Sequence, residues 1–117
     1  MTHSRNALVL HPAGMVETVT LTRVDVAELG DMFVTGMVSY PLQNGVRLVL
    51  AEDFEESSAG RRNTLAAALL YGSGRSRRAR EVYGSGLLYS VDRRGEVVDL
   101  TPHGRILAEQ ARRIVTA

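Results

Sequence analysis

An α+β domain, with an antiparallel sheet and helices packed on one of its faces, is the fold class that the order of segments predicts. Three observations carry it. Apolar, β-branched runs come in pairs, each pair is joined by a short turn-forming stretch, and each pair is followed by a segment with helix signals. The chain therefore reads hairpin–helix three times over, and its 117 residues are the size of one domain.

The first hairpin is read from residues 7–11 (ALVLH) and 16–22 (VETVTLT), with Pro12, Ala13 and Gly14 between them. Alternation places Met15, Val19 and Leu21 on one face of the second strand, and Thr18, Thr20 and Thr22 on the other. Asp25 then has the chemistry of a helix N-cap, with Glu28 three residues on as its capping-box partner. Val26, Leu29, Met32 and Phe33 form the apolar stripe of that helix, and Gly36 is its stop signal.

The second hairpin is MVSYPLQ, then Asn44-Gly45, then VRLVLAED. Asn-Gly between apolar runs is a strong hairpin signal, because both positions of the favoured turn need positive φ. Pro41 points to an edge or an irregular position for its strand, since proline cannot donate to a ladder. After the acids Glu52, Asp53, Glu55 and Glu56, Asn63 or a neighbour caps the helix TLAAALLY, which Gly72 ends. That helix is apolar nearly all round, so it belongs in the core.

An arginine-rich stretch, 72–81, reads as a flexible linker to the third hairpin. This hairpin is SGLLYSV, the turn Asp92-Arg93-Arg94-Gly95, and EVVDL. Thr101 as N-cap and Pro102 at the first helical position open the last helix. Leu107, Ala111, Ile114 and Val115 are expected on its inner face, and Arg105, Glu109 and Arg113 outside at i,i+4 spacing.

Composition narrows the function classes. Hydrophobic residues at 44 % and charged residues at 23 % are ordinary for a globular domain. The absence of cysteine excludes disulfides and thiolate chemistry. No apolar run approaches the roughly 20 residues that span a bilayer, and the opening residues read as a strand, not a signal peptide. The expectation is a cytoplasmic protein with no membrane partner. All 14 basic side chains are arginine. That has two readings: selection for a bidentate phosphate or carboxylate partner, or a GC-rich source.

The candidate sites follow the arginines. Residues 61–80 carry six of them and no acid. GSGRSRRAR lacks the Gly-Lys-Ser/Thr of a nucleotide loop, and Arg77 stands where a dinucleotide fingerprint needs its third glycine. Helix starts are sharper. Cations there oppose the helix dipole, so Arg61 and Arg62 before Asn63 and Thr64 suggest an anion or phosphate-bearing ligand at the second helix. His103 and Arg105 repeat the pattern more weakly at the third. The alternative is a nucleic-acid binder, in which Arg75, Arg77, Arg78 and Arg80, extended by Arg93 and Arg94, follow the backbone while Tyr71 and Tyr83 stack bases. His3, His11 and His103 have no metal-ligand spacing, Asp53 and Glu55 form at most half a metal site, and the serines lack a nucleophile elbow. No catalytic residue, metal or cofactor is therefore expected, and the chain reads as a non-enzyme.

Four stretches, ALVLHPAG, GMVSYPL, RRNTLAAALL and VYGSGLLYSVDRRGEVVDL, follow in an order that resembles a family of small domains of unknown function found in actinobacteria and their phages. The resemblance covers most of the chain; the extended arginine-rich linker and the long C-terminal helix depart from it. It implies no activity and no catalytic residue. It implies a phage or mobile-element accessory protein acting in the host cytoplasm. The residues themselves favour a non-enzyme that binds a host protein or a phosphate-bearing ligand. A protein-binding role calls for an exposed apolar patch or an uncovered sheet edge near Met37 to Leu42, and such an edge would also serve a homodimer.

Overall fold

The computed structural model describes residues 5–12, 14–21, 36–56, 60–72 and 82–116. Six strands, β1 (Arg5–Leu10), β2 (Val16–Leu21), β3 (Met37–Pro41), β4 (Val46–Ala51), β5 (Gly86–Val91) and β6 (Val97–Val98), pair into one antiparallel sheet. The order across it is β2-β1-β5-β4-β3, with β6 also on β5. Two helices, α1 (Thr64–Gly72) and α2 (Pro102–Thr116), follow the second and third hairpins. The helix expected after the first hairpin, with Asp25 as its cap, lies outside the described residues. So does the linker beyond Gly72.

Period-two alternation gives the sheet two apolar faces. Leu8, Leu10, Leu48, Leu50 and Leu88 point to the face that carries both described helices. There they bury Leu65, Ala66, Leu69 and Leu70 of α1 and Ala108 and Ala111 of α2. Ala7, Val9, Val49, Leu87, Tyr89 and Val97 form a second buried cluster on the opposite face. The central strands are therefore apolar on both sides.

The turns hold the registers. Asn44 and Gly45 have φ of 53° and 78°, the left-handed conformation that Asn-Gly supplies. Gly45 is required twice over, because a Cβ there would stand 2.7 Å from the Val91 carbonyl oxygen. In the third turn the Asp92 carboxylate accepts from the backbone N–H groups of Arg94 and Glu96 at 2.9 and 3.0 Å. β6 is shorter than the expected strand EVVDL because the chain leaves β5 to follow β1. Asp99 Oδ1 accepts from Asn6 N, and Leu100 N donates to the Asn6 carbonyl, both at 2.9 Å.

Two expectations are corrected. Met15 lies just before β2 and is 65 % exposed, so it is outside the strand whose face it was expected to share with Val19 and Leu21. On α2, Ile114 is 67 % and Val115 36 % exposed, so neither lines the inner face. The contact surface is Gly104, Leu107, Ala108 and Ala111. Small residues bring this end of the helix against the sheet; a Cβ on Gly104 would stand 2.5 Å from Leu100 Cδ1. Ala111 is the last buried position, and the apolar pattern outruns the surface it packs on.

Candidate functional site

The start of α1 is built around Asn63, which is wholly buried. Its Oδ1 accepts from Ala66 N at 2.9 Å, the N-cap bond that the sequence predicts. Its Nδ2 donates to the carbonyls of Leu10 and Gly84, both at 2.9 Å, and its backbone N–H donates to Val82. One side chain thus ties α1 to the end of β1 and to the segment leading into β5. Its polar atoms are spent on the fold. Arg61, Arg62 and Thr64 surround it and are all exposed. Gly84 N donates to the Arg61 carbonyl at 2.9 Å, and Arg62 bridges to Tyr83. The first turn of α1 holds no acid.

Arg93 and Arg94 are exposed in the β5–β6 turn. Tyr83, beside Arg62, precedes β5, whereas Arg93 follows it. The six residues of β5 at about 3.3 Å each run between them, which puts the two arginine pairs at opposite ends of the strand, on the order of 20 Å apart. They do not form one patch with each other. Arg75, Arg77, Arg78 and Arg80 lie outside the described residues.

Of the histidines, His11 Nε2 meets Glu17 Oε1 at 3.1 Å. His103 is partly buried in the first turn of α2, where its Nε2 has no hydrogen-bond partner. Among the described residues, no group of three His, Asp or Glu side chains converges on a metal position.

Two features were not read from the sequence. The first is an open, mostly apolar groove of about 90 Å³ where α1, α2 and the β3–β4 turn meet, lined by Leu42, Ala68, Leu69, Leu107, Ala111 and Ile114. Ile106, 52 % exposed, stands two helical turns before Ile114, with Gln110 between them at i+4 spacing. The i, i+4, i+8 ridge Ile106–Gln110–Ile114 was the available signal, hidden by assigning Ile114 to the core. The second feature is a polar cluster on the sheet face opposite the helices. Arg47 Nε donates to Ser39 Oγ at 3.0 Å, and Ser39 Oγ lies 3.2 Å from Tyr89 OH. Its signal was a lone arginine in the otherwise apolar VRLVLA.

No protein-family model, curated protein or solved structure matches this chain. Among the described residues, no helix is long and apolar enough to cross a membrane.

Proposed function

We propose that this is a small non-enzymatic binding protein that occupies a partner protein, taking an apolar segment of it into the groove between α1 and α2. The observation that carries this is the exposure of Ile114, which lines the groove, with exposed Ile106 on the same helix two turns before it. A large apolar side chain in water forfeits roughly 1.5–3 kcal/mol that burial returns, and contact with a partner would restore it. At about 90 Å³ the groove is several times the ~30 Å³ share of one liquid water, room for an apolar side chain.

The β3 edge supports the reading less well. Gly36 O accepts from Glu52 N, and Leu42 N donates to Val46 O, so even-numbered groups of β3 face β4 and odd-numbered ones face outward. Pro41 occupies an outward position, where its missing N–H blunts the edge against pairing with a second copy. On the family resemblance, the setting is the cytoplasm of an actinobacterial host and the gene belongs to a phage or mobile element.

The test is capture from actinobacterial host lysate with three baits: the unaltered chain, Ile114→Glu, and Arg61→Glu with Arg62→Glu. A protein held by the first and third but lost from Ile114→Glu is the expected outcome. Loss from the arginine bait alone would instead place a phosphate-bearing ligand at α1. Nucleic acid released by salt from every bait would support the alternative, binding by the arginines of 75–80.

A further inference from the structure

We propose that Arg47, held by Ser39 and Tyr89, is a binding site for a small monocarboxylate with an apolar body, on the sheet face opposite both described helices. Arg47 is partly buried on β4, flanked in the same row by Pro41 of β3 and Tyr89 of β5. Its Nε donates to Ser39 Oγ at 3.0 Å, and Ser39 Oγ in turn shares a hydrogen bond with Tyr89 OH at 3.2 Å. Tyr89 is buried, so the chain Tyr89–Ser39–Arg47 anchors the guanidinium at its Nε. Among the described residues nothing accepts from either Nη atom, and neither is sealed from solvent. The described carboxylate that shares this strand face, Glu17 on β2, lies three strands away and is already bonded to His11.

A guanidinium taken partly out of water is costly unless a counter-charge meets it, the described residues supply none, and its fork matches the two oxygens of one carboxylate. The charge fits a monoanion. One guanidinium charge is matched by a single carboxylate, whereas a phosphate dianion needs a second cation. Exposed Pro41 and partly buried Val91 offer an apolar rim for an alkyl chain. This site is separate from the groove beside α2 and does not depend on it.

The experiment is a titration of the ¹⁵N-labelled full chain with sodium octanoate, following the Arg47 Nε–Hε signal, with acetate and inorganic phosphate as parallel probes. Octanoate should move that signal saturably, and bind roughly tenfold or more tighter than acetate because its tail buries apolar surface. Arg47→Met should abolish the effect with the remaining spectrum unchanged. Arg47→Lys, which keeps the charge and loses the fork, should weaken it several-fold. No saturable movement, or octanoate binding unchanged in both variants, would overturn the site. Phosphate binding as tightly as octanoate would overturn the carboxylate assignment.

Discussion

The two described helices differ in what holds them and in what they leave over. α1 is nine residues long and apolar on nearly every side, too short to persist alone. It survives because Leu65, Ala66, Leu69 and Leu70 are buried and Asn63 ties its start to two other segments. α2 is 15 residues long and amphipathic, capped by Thr101, whose Oγ1 accepts from Gly104 N at 3.3 Å. It packs through a stripe of small residues and leaves Ile106 and Ile114 in water. α1, mostly consumed by the core, gives a partner only the groove wall at Ala68 and Leu69; α2, docked by half its surface, leaves whole side chains in water.

That contrast can be broken at graded cost. Leu65→Ala should destabilise the fold by about 2–5 kcal/mol, the range for emptying a packed leucine site. Urea denaturation measures it, and a loss below about 1 kcal/mol would contradict the burial of α1. Asn63→Ala should cost about 2–3 kcal/mol, a cap plus two carbonyl bonds. Asn63→Asp keeps the cap acceptor but removes both donors and buries a charge, so its thermal midpoint should fall below that of Asn63→Ala. At α2, Thr101→Ala should cost about 1–2 kcal/mol, since the cap bond and the 3.3 Å bond to the buried Ser90 hydroxyl are lost while the packed stripe remains. If Thr101→Ala proved as damaging as Asn63→Ala in urea, the two helix starts would not differ as described.

Local chemistry was legible in the sequence, and relations between distant segments were not. The Asn44-Gly45 turn, the edge position of Pro41, the Asn63 cap and the Thr101-Pro102 start each follow from a few adjacent residues, and the structure has all four. Ile114 was misplaced because a helical period tells which residues share a face, not where the opposing surface stops. Met15 failed for a related reason: alternation was extended one residue beyond the strand. The cluster of Arg47, Ser39 and Tyr89 was invisible, since 50 residues separate Ser39 from Tyr89 and only the β3–β4–β5 register joins them. Of the candidate anion-site residues, Arg61, Arg62 and Thr64 lie on the surface, while the side chain of Asn63 is turned inward to the fold.

The denaturation midpoint of Ile114→Glu tests the central contrast most directly. If Ile114 is surface kept for a partner, a charge there costs the isolated chain no more than about 0.5 kcal/mol, and the midpoint barely moves. A loss of several kcal/mol would mean that Ile114 belongs to the core, and that the flank of α2 is not a docking surface.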